Sequence, residues 1–134
     1  KNLRICGENL YAVHSIEYTA LPSYFMVFAI YDETTCLSWA DTEYICEEIG
    51  LVTVPVLFKG TFLNNDPKQP NRAFSHYTGI SKCGGEQEGY VVRLADAFPA
   101  NEPDWIVKWV RKGHVQTDQH WLNGEVKVNG LKSE

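Results

Sequence analysis

Charged residues stand at the ends or bends of three strand-like segments of this chain. Residues 88–93 read Glu-Gly-Tyr-Val-Val-Arg, a β-branched run that favours a packed strand beginning at the carboxylate of Glu88. Glu8 follows Gly7 between two apolar runs, where a glycine allows a strand to bend or bulge. Residues 105–112 form a third strand-like run, which ends in cations. Strands of this kind can hold a carboxylate rigidly at the mouth of a pocket, as a binding or catalytic site requires.

Each segment also has an ordinary structural explanation, and the residue pattern alone does not separate the two. Glu88 is also consistent with the solvated start of a buried strand, Glu8 with a turn, and the cations of residues 105–112 with a solvated strand end. His14 beside Ser15 is weak evidence for hydrolase chemistry, because no aspartate partner or nucleophile elbow accompanies the pair.

A mostly β architecture must position these residues. Residues 24–31 are the most hydrophobic stretch and predict a central strand that is covered on both faces. Residues 52–59 predict an edge strand because they contain Pro55, which has no N–H to donate. Residues 60–74, rich in Asn, Pro and Asp, predict a surface loop, and residues 125–128 predict a weak strand.

One helix interrupts the strands. Ser38, with Asp41 three residues later, predicts the N-terminal cap of this helix, and Gly50 is placed to end it. Ile45 and Ile49 are spaced to form its apolar face. Taken together, the elements predict an α+β fold with mostly antiparallel sheets and few helices.

Length and composition predict one domain, or part of one, with a buried core. The 134 residues are 44% hydrophobic and 22% charged, which excludes a disordered chain. The net charge of −5 argues against nucleic-acid binding driven by bulk charge, although it leaves room for a local basic groove. No apolar run approaches the roughly 18 residues of a membrane helix, and no signal peptide is visible. Four cysteines without C-x-x-C spacing predict reduced thiols and a cytoplasmic protein.

In chain order, the segments 5–11, 24–30, 88–93 and 107–112 resemble motifs III, IIIa, IV and V of the ATP-dependent RNA ligases. These enzymes belong to the covalent nucleotidyltransferase superfamily, with DNA ligases and mRNA capping enzymes. The resemblance extends over nearly the whole chain. It implies that residues 1–134 are part of a ligase-type nucleotidyltransferase domain, which is ATP-grasp-like.

The resemblance implies a reaction that joins RNA 5′-phosphate and 3′-OH ends through lysyl-AMP and RNA-adenylate intermediates. ATP is consumed, AMP is released, and Mg²⁺ or Mn²⁺ is required. RNA ends are the implied partners. Phosphoryl transfer of this kind depends mostly on positioning and on neutralising charge.

On the nucleoside side, the resemblance implies that Glu8 binds the ribose or a metal-bound water and that Phe28 stacks on adenine. Core packing explains Phe28 equally well, because the strand pattern cannot distinguish the two. Related ligases often have an aspartate after this aromatic residue. Ala29 stands there in this chain, so the function of that carboxylate is absent or is supplied elsewhere.

On the phosphate side, the resemblance implies that Glu88 is catalytic and helps to hold the metal ion. Lys108 and Lys112 are the implied catalytic phosphate contacts, with Arg111 as a further nucleotide contact. Strand alternation would put the two lysines on one face and Arg111 on the other. The usual motif V has two lysines one residue apart, a spacing that this chain lacks. Arg93 is the candidate RNA contact, with a salt bridge or an ATP contact as alternatives.

The nucleophilic lysine of the family lies in a K-x-D-G-like motif upstream of motif III, and only seven residues precede Glu8. Two K-x-x-G matches, at residues 82–85 and 127–130, lie downstream and lack the aspartate, so we interpret both as chance. The chain therefore resembles the C-terminal portion of an adenylation domain. We expect the lysine to lie outside this chain, in a missing N-terminal portion or a second chain, and the chain alone to be inactive in adenylation.

A second hypothesis is a non-catalytic module of the same fold that binds a nucleotide or an RNA end. Ala29 and the irregular motif V favour it slightly. A DNA ligase or a guanylyltransferase is a weaker alternative within the enzyme class. For the ligase, we expect Glu8, Glu88 and the cations after Val107 to converge around one nucleotide-sized hollow.

Overall fold

The computed structural model describes residues 2–13, 16–60, 81–110 and 126–133. Within these ranges the chain is an α+β protein with one α-helix, as predicted. The elements in chain order are β1 (Arg4–Asn9), β2 (Phe25–Tyr31), β3 (Thr35–Cys36), α1 (Trp39–Ile49), β4 (Val52–Thr53), β5 (Gly89–Arg93), β6 (Phe98–Pro99), a 3-10 turn (Pro103–Trp105) and β7 (Ile106–Val110).

The strands form two sheets. In the larger sheet, β2 pairs along its length with β1, and its other edge pairs with β3 and β4. The outer strand β6 pairs with β3. The smaller sheet is the antiparallel pair β5–β7, in which Val91 lies opposite Lys108 and Arg93 opposite Ile106. Among the strands that the structure describes, every pairing is antiparallel except β2–β4, so the predicted sheet type is confirmed.

Both faces of β2 are covered, as its hydrophobicity predicts. On one face, Val27 and Ile30 pack against Cys46 of α1. On the other face, Ala29 packs with Cys36 and Phe98, and this cluster receives side chains from the β5–β7 region, including Ile106. The strand is therefore the centre of a sandwich with the helix on one side and the small sheet on the other.

A β-bulge interrupts the pairing of β1 with β2. Cys6 lies opposite Ala29 and the next residue, Gly7, lies opposite Val27, so Phe28 is the extra residue on β2. A Cβ on Gly7 would stand 2.6 Å from the carbonyl oxygen of Met26, closer than any side chain allows. The bend predicted at Gly7 is confirmed, and only glycine fits it.

The caps of α1 are those predicted. The Ser38 hydroxyl accepts a hydrogen bond from the Asp41 backbone N–H at 3.1 Å, and Gly50 ends the helix with φ +78°. The predicted apolar face was wrong in its last turn, because Ile49 is 53% exposed. The helix buries Trp39, Thr42 and Cys46 instead. Leu51, just after the helix, packs against the cluster that contains Cys46, as does Ile45.

Several predicted boundaries differ in the structure. The edge strand expected at 52–59 is shortened to Val52–Thr53, with one further ladder bond from the Val54 N–H to the Val27 carbonyl, and Pro55 follows. Of the weak strand predicted at 125–128, residue 125 lies outside the described residues, and the described part forms a bridge between Ala12 and Val128. The loop predicted at 60–74 lies, after residue 60, outside the described residues. The part of the chain that the structure describes has no helix long and apolar enough to cross a membrane.

Candidate functional site

Glu8 and Lys108, two predicted site residues far apart in sequence, meet in the structure. Glu8 lies on β1 and Lys108 on β7, and the Lys108 Nζ is 3.9 Å from the Glu8 Oε1. The Glu8 side chain remains 46% exposed and the Lys108 side chain 60% exposed. Glu8 and Lys108 therefore lie close together across the two sheets, and the nucleotide-sized hollow expected around them stays a prediction.

Strand alternation explains why the two side chains face each other. Glu8 is two residues from Cys6 on β1, and Cys6 packs against the Ala29 cluster. Lys108 is likewise two residues from Ile106 on β7, which packs against the same cluster. Both charged groups therefore lie on the inner faces of their sheets, beyond the apolar contact that joins the sheets.

The ion pair is long and half-exposed, so it contributes little to stability. Pairs of this kind are worth about 0.2–1 kcal/mol, since water and salt screen them. Both groups remain free to exchange partners at little cost. An anionic ligand could draw Lys108 away from Glu8, while the carboxylate accepted hydrogen bonds from hydroxyl groups.

Phe28, the predicted adenine platform, is partly buried and packs against the Ala29 cluster. Ile106 of the small sheet packs against the same cluster, which shows that Phe28 lies on the side of β2 that faces the small sheet. Ala29 is fully buried, so a carboxylate at this position would have no access to solvent. The stacking role of Phe28 stays a prediction.

Arg93, the predicted RNA contact, is partly buried at the end of β5. Three of its five N–H groups donate to backbone carbonyls, those of Phe28, Leu37 and Leu94. The RNA role stays a prediction, and the structure adds a structural role that the sequence did not suggest. No spacing rule pairs residue 93 with residues 28 and 37, so the sequence held no signal for this contact.

Glu88 lies directly before β5 and is partly buried. The paired β7 strand reaches Val110 opposite Gly89. The predicted phosphate contacts Arg111 and Lys112 lie outside the described residues. The roles assigned to Glu88, Arg111 and Lys112 therefore stay predictions, and Lys108 is the predicted phosphate contact whose position the structure describes.

The described residues are better suited to a metal ion that binds together with the nucleotide phosphates than to one that the protein holds alone. They contain no group of three His, Cys, Asp or Glu side chains placed to hold an ion. Mg²⁺ at nucleotide sites usually takes one or two carboxylates and completes its shell with phosphate oxygens and waters. A single carboxylate such as that of Glu88 is compatible with that mode of binding.

A surface depression of about 570 Å³ lies at the other end of β1. Arg4, Tyr31, Glu33 and Asn101 are among its lining residues. Arg4 is four residues from Glu8, or roughly 13 Å along an extended strand. This depression is therefore separate from the Glu8–Lys108 pair.

Three of the four cysteines are shielded from solvent. All four are free thiols, and Cys36, Cys46 and Cys83 are buried. Burial raises the pKa of the Cys46 and Cys83 thiols, which keeps them protonated near neutral pH. The prediction of unpaired thiols is confirmed.

Comparison with known proteins places these residues in a family. A family model described as RNA ligase matches residues 1–110, which is more than half of the chain and includes Glu8, Phe28, Glu88, Arg93 and Lys108. Searches of curated proteins and of solved structures gave no match. The extent of the family match is sufficient to decide membership, and this chain belongs to the RNA ligase family.

Proposed function

We propose that this chain is part of the adenylation domain of an ATP-dependent RNA ligase, with a nucleotidyltransferase-type fold. The contact of Glu8 with Lys108 across the two sheets carries the proposal. It combines a carboxylate suited to ribose hydroxyls with a cation suited to phosphates, in a chain of the RNA ligase family. The proposed partners are RNA ends, and the proposed location is the cytoplasm.

The proposed reaction has three transfers. A lysine amine bonds to the α-phosphorus of ATP, and the bond to pyrophosphate breaks. AMP then passes from the lysine to an RNA 5′-phosphate. Attack of a 3′-OH on that activated phosphate forms the phosphodiester and releases AMP. The lysine is proposed to lie outside residues 1–134.

Each step places negative charge on phosphate oxygens, which the chain's cations offset. Lys108 is proposed to hold those oxygens, with Arg111 and Lys112 following it along the chain. Glu8 is proposed to orient the ribose, and Phe28 to pack against adenine. When bound at Glu88, Mg²⁺ supplies electrostatic stabilisation of the phosphates.

Nucleotide binding by the purified chain tests this proposal. We expect isothermal titration to show binding of ATP with Mg²⁺, and Lys108→Met to weaken it about 10- to 100-fold. This range corresponds to the roughly 1.5–3 kcal/mol of one hydrogen bond to a charged group. Glu8→Gln should weaken binding in the same direction, because the ribose loses a charged acceptor.

The Lys59–Glu43 pair provides matched controls. Its atoms are 3.6 Å apart, and its side chains are 61% and 44% exposed, close to the values for Lys108 and Glu8. Lys59→Met and Glu43→Gln should leave the affinity unchanged. Absence of ATP binding at millimolar concentrations, or equal losses in the control variants, would contradict the proposal.

A covalent assay tests the proposed position of the lysine. We expect no AMP adduct when this chain alone is incubated with radiolabelled ATP and Mg²⁺. An acid-labile adduct on this chain would place the nucleophile within residues 1–134 and refute that part of the proposal.

The second candidate is a non-catalytic module that binds nucleotides or RNA ends. The full burial of Ala29 favours it, because an aspartate often stands at this position in related ligases. Adenylation assayed on the whole gene product separates the candidates. ATP binding without adduct formation supports the module, and an adduct supports the ligase.

A further inference from the structure

The Arg93 guanidinium lies where three parts of the fold meet. Its Nη1 donates to the Phe28 carbonyl at 3.2 Å, and its Nη2 donates to the Leu37 carbonyl at 2.7 Å. The Nε donates to the Leu94 carbonyl at 3.0 Å. One side chain from β5 is thus bonded to the central strand and to the residue that precedes the Ser38 helix cap.

Two buried aromatic rings accompany the same guanidinium. Its central carbon is 5.7 Å from the ring centre of Trp39 and 5.5 Å from that of Phe98. Both rings are less than 10% exposed, so they hold the charge in a partly desolvated setting. An arginine at such a distance from aromatic rings is attracted by their electron-rich faces, and the attraction is stronger when water is excluded.

The bonded carbonyl of Phe28 belongs to the β-bulge. Phe28 is the residue that the pairing of β1 with β2 skips, so the regular ladder between these strands assigns it no partner. Arg93 supplies a donor to this residue. The backbone of the predicted adenine platform is therefore tied directly to the strand that follows Glu88 and pairs with the Lys108 strand.

Other described contacts also join the small sheet to the larger one. Among the described strands, no backbone ladder joins β5–β7 to the larger sheet. The Trp39 backbone N–H donates to the Ala95 carbonyl at 2.8 Å, just beyond the end of β5. The apolar packing of Leu94 and Ile106 and the exposed Glu8–Lys108 ion pair are further attachments. Apolar packing is not directional, whereas the two bonds from Arg93 to Phe28 and Leu37 fix both distance and orientation.

We infer that Arg93 is a positioning residue that docks the β5–β7 sheet on β2 and thereby sets the place of Lys108 relative to Glu8. The functional consequence rests on the proposed nucleotide site, whereas the docking itself does not. Lysine cannot replace Arg93 fully. Its single ammonium nitrogen cannot reach three separate carbonyls as the three nitrogens of the planar guanidinium do.

Zero-length cross-linking measures this position without any nucleotide. A carbodiimide joins a carboxylate to an amine only where the two touch, and mass spectrometry of the digest quantifies the Glu8–Lys108 product. The Glu43–Lys59 product in the same digest is the internal standard, since that pair lies 3.6 Å apart and does not involve the small sheet. The variants are Arg93→Met and Arg93→Lys.

Arg4→Met is the matched control. Arg4 also lies over an aromatic ring, that of Tyr31 at 4.6 Å, but at the opposite end of β1 from Glu8. We expect Arg93→Met to lower the Glu8–Lys108 yield roughly tenfold relative to the standard, equivalent to about 1.4 kcal/mol of lost docking. Arg93→Lys should give an intermediate yield, and Arg4→Met the wild-type yield.

An unchanged Glu8–Lys108 yield in Arg93→Met overturns the inference, and lower RNA affinity in that variant would then support a direct RNA contact. If Arg93→Met fails to fold and the standard product also disappears, Arg93→Lys decides, since it keeps the charge and part of the bonding. A wild-type yield in Arg93→Lys would refute the need for the fork. If the wild-type chain binds no ATP but Arg93→Met still loses the cross-link, the docking role is supported and the ligase proposal is refuted.

Discussion

Replacing Gly7 with alanine tests whether the β-bulge requires a residue without a side chain at this position. The new Cβ would lie 2.6 Å from the Met26 carbonyl oxygen and 2.7 Å from the Phe25 Cζ. The first distance is about 0.8 Å short of the 3.4 Å at which ordinary contact begins. The phenylalanine ring can rotate, but the carbonyl belongs to the backbone of β2. Strand β1 must therefore move away from β2.

Overpacking of this kind destabilises the folded state by about 1–3 kcal/mol. Alanine offsets roughly 0.4–1 kcal/mol of this, because it lowers the conformational entropy of the unfolded chain. We expect Gly7→Ala to lower the free energy of unfolding by about 1–2 kcal/mol. The displacement should also carry Glu8 away from Lys108, since Glu8 follows Gly7 on the same strand. Urea unfolding measures the first effect, and the Glu8–Lys108 cross-link measures the second.

Gly50→Ala is the control for Gly7→Ala. No atom lies within 4 Å of the added Cβ, and the φ of +78° makes its cost one of backbone strain, about 1 kcal/mol. The two variants should lose comparable stability, but Gly50→Ala should keep the wild-type cross-link. The reasoning is refuted if Gly7→Ala unfolds within about 0.5 kcal/mol of wild type, a margin typical of neutral surface substitutions.

Two further predictions concern stability. Asn129→Ala removes a buried amide that donates to the Leu10 and Ala12 carbonyls and accepts from the Tyr18 N–H, so urea unfolding should show a loss of about 2–4 kcal/mol; a loss below about 1 kcal/mol would contradict this. Burial raises the pKa of Cys46 and Cys83 above 9.0, so the folded state retains protons that the unfolded chain releases. The stability that these thiols contribute should be complete below pH 9.0 and decline as pH rises through the higher pKa values. Unfolding curves on both sides of pH 9.0 test the sign, and substituting both thiols with alanine should make that decline smaller.

Local features of this fold could be predicted because each depends on neighbouring residues. The caps at Ser38 and Gly50 follow from side-chain and backbone preferences within one helix turn. The bulge follows from Gly7, and the double covering of residues 24–31 follows from an uninterrupted apolar run. The meeting of Glu8 and Lys108 came from the family resemblance rather than from spacing.

Features that depend on distant contacts were not predictable. The short strand β6 pairs with β3 through only two residues, too few to leave a periodic pattern. The bonds of Arg93 join residues separated by 65 and 56 positions. The apolar face of α1 was misplaced, because what a helix buries depends on where it lies over the sheet, and propensity does not contain that information.

The segment 126–133 packs against the loop that connects β1 to β2, although the family match ends at residue 110. Backbone bonds join Leu21 to Gly130 and Lys132, and Leu21 is fully buried. A protein fragment that ends at residue 110 would expose this leucine to solvent. It would also leave the Leu10 and Ala12 carbonyls without the hydrogen bonds that Asn129 donates. The limit of sequence similarity is therefore not a safe place to cut this protein for expression.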